Sequence, residues 1–192
     1  MKTPTVALVG RPNVGKSTLF NRLVGKRVSI IGDQPGITRD RIYEKVTYGD
    51  YQFYLIDTGG ITVSKELFNK EIMIQAEIAI DEADIVVFLV DGKEGITSDD
   101  LVIRDILRKS NKQIIIAINK IDHKQVQSHY YDFYKLGFSE YIPISSEHNK
   151  GIGTLLDKIV SFFDSLPQIE EKEEVIKFSV LGRPNVGKSS LV

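Results

Sequence analysis

The sequence contains no cysteine among its 192 residues, which excludes disulfide bonds and metal sites built from thiolates. It has no excess of either charge, because 25 basic and 26 acidic residues leave a formal net charge of -1. Global charge therefore favours neither nucleic acid nor membrane as a partner. It also lacks a long apolar run and a signal peptide, since the apolar runs at 85–90 and 114–118 are far too short to cross a bilayer. We expect a cytoplasmic protein that contacts no membrane.

Length and apolar content predict one packed domain followed by a remnant. The chain is longer than one typical domain but short for two, and 42% of its residues are hydrophobic. We predict a first nucleotide-binding domain over residues 1–166, an acidic linker over 167–175 and the truncated beginning of a second such domain over 176–192. A monomer is expected.

An octapeptide, GRPNVGKS, occurs twice, at 10–17 and again at 182–189. Both copies match the phosphate-binding pattern G-x-x-x-x-G-K-[ST], and both follow a short apolar run. The glycines allow successive backbone N–H groups to point at phosphate oxygens, and the helix that follows adds its positive end. Lys16 would reach the β- and γ-phosphates, and the Ser17 hydroxyl would bind Mg²⁺. A chance glycine turn is a poor explanation for a pattern that repeats in the same context.

Apolar strand patterns alternate with helical patterns along the chain, which predicts an α/β fold. We expect the three-layer P-loop NTPase fold, with a mostly parallel six-stranded sheet and one antiparallel edge strand, because Gly49–Asp50 signals a tight hairpin. Strands are predicted at Thr5–Val9, Ile42–Tyr48, Tyr51–Ile56, Ile85–Val90, Gln113–Ile118 and Tyr141–Ile144. Helices are predicted at Lys16–Val24, Lys65–Glu82, Ser98–Lys109 (with Ser98 as N-cap), Val126–Leu136 and Ile152–Ser165.

Charge is distributed unevenly. Residues 1–45 contain nine basic and three acidic side chains, whereas residues 81–105 contain eight acidic and two basic ones. The basic bias serves phosphate binding in part, and its remainder is either an RNA-facing patch or a solvated face.

Two further segments indicate which nucleotide is bound. Asp57-Thr58-Gly59-Gly60 closes one predicted strand, which places a carboxylate near the metal and a flexible N–H near the γ-phosphate. Asn119-Lys120-Ile121-Asp122 closes another at the same edge of the sheet, where open α/β folds bind ligands. A carboxylate there accepts from guanine at both N1–H and the 2-amino group, and adenine offers neither donor. Each pattern is weak alone, but their order after the phosphate loop favours a GTPase.

These motifs resemble those of the translation-factor-related GTPases. Within that group the chain is similar to the Der (EngA) family, whose bacterial members carry two GTPase domains in tandem. The matching segments, in order, are Gly10–Leu19, Pro35–Arg41, Asp57–Gly60, Asn119–Asp122 and Ile144–Ser146, followed by the second phosphate loop after an acidic linker. The resemblance implies a Mg²⁺-dependent GTP hydrolase that binds ribosomal particles or ribosomal RNA through the full-length protein and assists large-subunit biogenesis.

The resemblance also implies roles for individual positions. Thr38 would bind Mg²⁺ together with Ser17 and Asp57, and Ser145-Ser146 would approach the guanine through a backbone N–H. The residues that would take part in catalysis are Asn13, Lys16, Thr38 and Gly60. The residues that would contact GTP or GDP are Gly10, Arg11, Pro12, Asn13, Val14, Gly15, Lys16, Ser17, Thr18, Asp57, Thr58, Gly59, Gly60, Asn119, Lys120, Ile121, Asp122, Ser145 and Ser146.

One departure from Ras-like GTPases bears on hydrolysis. Those enzymes place a glutamine after Asp-x-x-Gly to orient the attacking water, whereas this chain has Ile61. Asn13 matches similar GTPases in which K⁺ supplies the charge of an arginine finger, which predicts potassium stimulation. Two alternatives stay open: a P-loop ATPase or nucleotide kinase, and a nucleotide-binding module without useful hydrolysis.

Two other groups of residues have structural interpretations. The three histidines show no metal-ligand spacing and are expected at the surface. The aromatic cluster at 130–134 favours helix packing over a base-stacking platform.

Overall fold

A computed structural model describes residues 3–25, 42–57, 77–122 and 130–166. Within them lies a six-stranded sheet in the order β2-β3-β1-β4-β5-β6. All its pairs are parallel except β2 with β3, which form an antiparallel hairpin at one edge. The strands are β1 (Thr5–Val9), β2 (Ile42–Tyr48), β3 (Tyr51–Asp57), β4 (Ile85–Asp91), β5 (Gln113–Asn119) and β6 (Glu140–Pro143). The predicted fold class is confirmed, with strand ends shifted by one residue.

The sheet separates two apolar cores, as a three-layer fold requires. Alternate residues of β1 point to opposite faces, so Val6 and Leu8 lie in one core and Ala7 and Val9 in the other. Central strand β4 is buried along its whole length, which explains its uninterrupted apolar sequence. Gly49, with φ 59°, forms the predicted tight turn between β2 and β3.

The helices cover the two faces of the sheet. Three α-helices have both ends within the described residues: α1 (Lys16–Val24), α2 (Ser98–Lys109) and α3 (Ile152–Ser161). Residues 77–82 are also helical, in agreement with the end of the predicted helix Lys65–Glu82. Helices α1 and α3 contribute to the core that contains Leu8, whereas α2 contributes to the core on the other face. No described helix is long and apolar enough to cross a bilayer.

Two predicted helices differ from the structure. The described part of Val126–Leu136 is a 3₁₀ helix, Tyr130–Leu136, and Ile152–Ser165 divides into α3 and a 3₁₀ turn at Phe163–Ser165. The tighter winding lets Phe133 and Leu136, three residues apart, both point into the core. The helix-packing interpretation of the aromatic cluster holds for Phe133, which is fully buried, but Tyr131 is 79% exposed.

The N-cap of α2 is Thr97 and not Ser98 as predicted. The Thr97 side chain accepts from the backbone N–H of Asp100, and the Asp100 carboxylate accepts from the backbone N–H of Thr97. Because the acidic residue stands three positions after Thr97, this pair forms a reciprocal capping box. Ser98 has no acidic residue at the corresponding position.

Candidate nucleotide-binding site

The phosphate loop, residues 10–15, connects the end of β1 to the start of α1. Asn13 and Gly15 have left-handed backbone conformations, with φ 62° and 102°. A Cβ atom at Gly10 would lie 2.5 Å from the carbonyl oxygen of Leu89, so only glycine fits against β4 there. A Cβ atom at Gly15 would collide with the side-chain amide of Asn119. The glycines of the motif are therefore required by packing as well as by backbone conformation.

Lys16 lies folded back over the phosphate loop. Its Nζ donates to the carbonyl oxygens of Gly10 and Arg11, at 2.8 Å and 2.9 Å. Burial lowers the pKa of Lys16 from 10.5 to about 8; the Asp57 carboxylate acts in the opposite direction and the Arg11 guanidinium in the same one. A buried ammonium of this kind gains strongly from an anionic ligand.

Asn119, at the end of β5, joins three parts of the site. Its Nδ2 donates to the carbonyl oxygen of Val14 at 2.8 Å. Its Oδ1 accepts from the backbone N–H and the hydroxyl of Ser146, at 2.9 Å and 3.1 Å. Both side chains are buried. Asn119 thus fixes the phosphate loop and the segment after β6 relative to the base-recognition motif.

Lys120 forms a second bridge between the motif and the phosphate loop. Its Nζ donates to the carbonyl oxygen of Asn13 at 2.9 Å and to Asp91 Oδ2 at 2.5 Å. Burial favours protonation of Asp91, but hydrogen bonds from Lys120 and from the backbone N–H groups of Lys93 and Glu94 outweigh it, so the pKa of Asp91 is lowered. Asp91 and Asn119 are paired across β4 and β5, which explains how these residues meet.

Asp122 lies at the surface end of this motif, beside the hairpin of residues 145–150. His148 Nε2 is 3.4 Å from Asp122 Oδ2, and the half-exposed imidazole agrees with the predicted surface position of that histidine. The hairpin is held by α1, because Arg22 donates to the carbonyl oxygens of Ser146 and Glu147 at 3.1 Å and 2.7 Å. Ser145 and Ser146 therefore lie next to Asn119 and Asp122, as the sequence predicts, although the Ser146 N–H donates to Asn119.

The residues with oxygen donors for a cation are spread along one edge. Asp57 ends β3 and is 5% exposed, and Ser17 begins the first turn of α1 with an exposed side chain. No group of three or more His, Cys, Asp or Glu side chains in the described ranges is arranged to hold a metal. One carboxylate and one hydroxyl suit Mg²⁺, which keeps several waters and binds ligand phosphates.

Several predicted site residues lie outside the described residues. These are Thr38, Thr58, Gly59, Gly60, Ile61, His123, His129 and the second octapeptide. All the others are described, and they surround a single edge of the sheet, at the carboxyl ends of β1, β3, β5 and β6.

Sequence reasoning missed three partners of these residues: Asp91, Asp100 and Arg22. Asp91 pairs with Lys120, Asp100 pairs with Arg11, and Arg22 holds the hairpin 145–150. Their charges are visible in the sequence, but their partners are 29 to 125 positions away. Only the sheet order brings them together.

The fold and this edge define the class: a P-loop nucleotide-binding domain whose second motif, Asn-Lys-x-Asp, is the one that GTPases use. The chain belongs to the 50S ribosome-binding GTPase family, whose sequence profile matches residues 5–120. The predicted family resemblance is confirmed by curated relatives named GTPase Der. The chain is 54% identical over all 192 residues to those of Geobacillus sp. (strain WCH70) and Geobacillus kaustophilus, and 53% identical to that of Listeria innocua. It spans 44% of the length of these relatives.

Solved structures agree with this assignment. Era in complex with MgGDPNP and nucleotides 1506–1542 of 16S ribosomal RNA is 34% identical, with a TM-score of 0.69 over 90% of this chain and 59% of that chain. An Aquifex aeolicus Era variant bound to GDP and aluminium fluoride is also 34% identical, with a TM-score of 0.65 over 88% and 59%. The G domain of T. maritima FeoB is 29% identical, with a TM-score of 0.61 over 84% and 99%.

Proposed function

We propose that this chain binds GTP and GDP with Mg²⁺, hydrolyses GTP, and forms the first GTPase domain of a switch protein in large-subunit ribosome biogenesis. The observation that carries the proposal is the position of Asn119, which binds both the phosphate loop and the hairpin 145–150. One buried side chain thereby holds the phosphate-binding and base-binding elements at a fixed separation. A nucleotide can bridge them only with its base at Asp122.

Base selection rests on Asp122. Its two carboxylate oxygens accept from guanine N1–H and the 2-amino group, whereas adenine presents an acceptor at N1 and has no 2-amino group. Lys120 and Ile121 support the base edge beside it, and Ser145 and Ser146 close the opposite side.

The phosphates bind to the loop. The backbone N–H groups of residues 10–18 and the N-terminal end of α1 supply donors to the phosphate oxygens, and Lys16 supplies a cation. Its ammonium exchanges the carbonyl oxygens of Gly10 and Arg11 for phosphate oxygens, which carry full charges.

Mg²⁺ fits the donors at this edge. Ser17 and Asp57 would hold it together with Thr38, and the ion would neutralise charge on the phosphates. The carboxylate of Asp57 is buried close to Lys16, so it is positioned before the ion binds. Gly60 would donate its N–H to the γ-phosphate from the flexible Asp-x-x-Gly segment.

Hydrolysis lacks a glutamine, because Ile61 occupies that position, and we propose that K⁺ contributes the missing positive charge beside Asn13. The exposed Asn13 has a left-handed backbone that Lys120 holds through its carbonyl oxygen. Its side-chain oxygen and neighbouring carbonyl oxygens suit a monovalent cation.

Potassium stimulation gives a testable prediction. GTP hydrolysis should be faster in K⁺ than in Na⁺ at matched ionic strength, and Asn13→Ala should abolish the difference, because the smaller ion fits the same oxygens poorly. Single-turnover hydrolysis in the two salts measures this. Equal wild-type rates would contradict potassium stimulation and leave hydrolysis without an explanation for Ile61.

The domain organisation predicts one nucleotide per chain. Residues 1–166 form the first domain, 167–175 a linker, and 176–192 the beginning of a second domain that has a phosphate loop but neither Asp-x-x-Gly nor Asn-Lys-x-Asp within this sequence. Such a short segment cannot offset its ordering entropy. Isothermal titration with GDP should give a stoichiometry of one. Two tight sites would contradict this domain assignment.

The nucleotide class is tested by competition. A fluorescent GDP analogue should be displaced by GTP at low concentration and not by ATP, and wild-type hydrolysis of GTP should exceed that of ATP. Displacement by ATP would favour the ATPase or kinase alternative. Binding of GTP without hydrolysis in either salt would favour a nucleotide-binding module.

The ribosomal partner belongs to the full-length protein. The matching family is described as ribosome-binding, and the similar Era structure contains ribosomal RNA. We propose a cytoplasmic monomer whose GTP and GDP states differ in affinity for ribosomal particles. Co-sedimentation of the full-length protein with large subunits, in GTP, GDP or a nonhydrolysable analogue, tests this. Equal sedimentation in all states would contradict a switch.

A further inference from the structure

The acidic stretch at 81–105 is not explained by nucleotide chemistry. Two of its carboxylates, Asp91 and Asp100, are buried, with exposures of 1% and 0%. Both lie in the segment 91–100, which runs from the end of β4 into the first turn of α2. Buried carboxylates are rare unless they are paired, so each should have a specific partner.

Both partners connect to the phosphate loop. Asp91 holds Lys120, which binds the carbonyl oxygen of Asn13. Asp100 lies near Arg11, with Oδ2 3.4 Å from Nε. The segment 91–100 therefore contacts the phosphate loop at both its first half and its middle.

The Arg11 side chain is directed at this acidic segment. Its guanidinium is 11% exposed and lies between Asp100 and Glu94, whose Oε2 is 2.6 Å from Nη2. The same side chain is close enough to Lys16 to help lower its pKa. The two acidic groups thus hold a cation beside the loop.

Asp100 is itself held firmly. Its Oδ2 accepts from the backbone N–H and the hydroxyl of Thr97, both at 2.9 Å. Its Oδ1 has no hydrogen-bond partner in the described part of the chain, and burial raises its pKa against the opposing influence of Thr97 and Arg11. Arg11 is the cation nearest this carboxylate, so the two groups depend on each other.

We propose that Asp100 is a positioning residue that acts through Arg11 to hold the phosphate loop in its phosphate-binding conformation. The loop contains two left-handed residues, Asn13 and Gly15, and such conformations persist only where the surroundings enforce them. The pair Arg11–Asp100 anchors the loop to α2 on the side opposite Asn119. This inference rests on the proposed nucleotide-binding function and assigns the Arg11 side chain to positioning and not to phosphate contact.

The test compares GDP dissociation rates and affinities in variants from both ends of the pair. Asp100→Asn and Arg11→Met should each weaken GDP binding between about ten- and a hundredfold, the range expected for loss of a hydrogen bond to a charged group. The double variant should bind no worse than the weaker single variant, because both changes remove one interaction. Asp99→Asn is the matched control: the same chemical change, one residue away in the same helical turn, at an exposed side chain. It should leave GDP affinity unchanged.

Thermal melting without nucleotide separates positioning from folding. Thr97→Ala removes the cap of α2 but leaves the charge pair, so it should lower the melting temperature with less than a threefold change in GDP affinity. If Thr97→Ala weakened GDP binding as much as Asp100→Asn did, Asp100 would be only a helix cap and the inference would be overturned.

The alternative role of Arg11 predicts a different pattern. If its guanidinium bound phosphate, Arg11→Met would weaken GDP binding while Asp100→Asn, by releasing the cation, would not; that result would overturn the inference. Wild-type affinity in both variants would also overturn it and leave the proposed function intact. Absence of GDP binding by the wild-type chain would overturn the proposed function and this inference together.

Discussion

Replacing Asp122 with asparagine is expected to abolish useful GTP binding and to create a preference for XTP. The amide of Asp122→Asn would place a donor against the donors of guanine, which costs a factor on the order of 10³ or more at a site built to hydrogen-bond its ligand. Xanthine carries an oxygen in place of the 2-amino group. The introduced amide can donate to that oxygen while its carbonyl accepts from N1–H. Competition binding with GTP, XTP and ATP measures the change.

The design includes a control of the same chemistry. Asp164→Asn changes an exposed carboxylate after α3, away from the nucleotide-binding edge, and should keep wild-type selectivity. A variant of Asp122 that kept its preference for GTP, or that gained ATP binding, would show that residues 119–122 do not read the base. The GTPase proposal would then fail.

Lys16→Met is expected to weaken GDP and GTP binding about a hundredfold or more without reducing the stability of the nucleotide-free domain. The first effect follows from loss of a cation that faces two phosphates. The second follows from the lowered pKa of Lys16, since a change from 10.5 to about 8 corresponds to at most about 3 kcal/mol that the buried charge costs the folded state. Chemical denaturation at pH 7 should find the variant as stable as the wild type, or more stable.

The pH dependence has a defined sign. Below pH 8 the lysine is charged in both the folded and unfolded states, so the full cost is present. Between pH 8 and 10.5 the folded state loses the proton first, and the wild-type chain should gain stability relative to Lys16→Met. Phosphate binding favours the charged form, so GDP affinity of the wild type should fall as pH rises above 8. A gap in stability that widened with pH would contradict this assignment of the lysine.

Local patterns were sufficient for most of the sheet. Alternating and continuous apolar runs located all six strands to within one residue, because the burial of each strand depends on its own sequence. The cap of α2 shows the limit of such reasoning. Thr97 and Ser98 are both good caps, and the decision came from Asp100, whose carboxylate reaches back to Thr97 alone.

The site was predictable in its motifs and not in its connections. Spacing identified Lys16, Asn119 and Asp122, since each follows a recognisable strand. The pairing of Arg11 with Asp100 spans 89 positions, and nothing in either local sequence indicates it. The 3₁₀ winding at Tyr130–Leu136 was missed for a related reason: core packing of Phe133 decided between two helical forms with similar sequence patterns.

The contact between Gly15 and Asn119 makes two separate motifs one steric unit. Val14 and Asn119 are 105 positions apart, yet the Asn119 amide fills the space that any side chain at Gly15 would need. A chimera that joins the first half of this domain to the second half of a distant P-loop protein would therefore inherit a mismatch, even if each half kept its own intact motif. Recombination within this fold should succeed only between parents whose loop and base motif have been selected together.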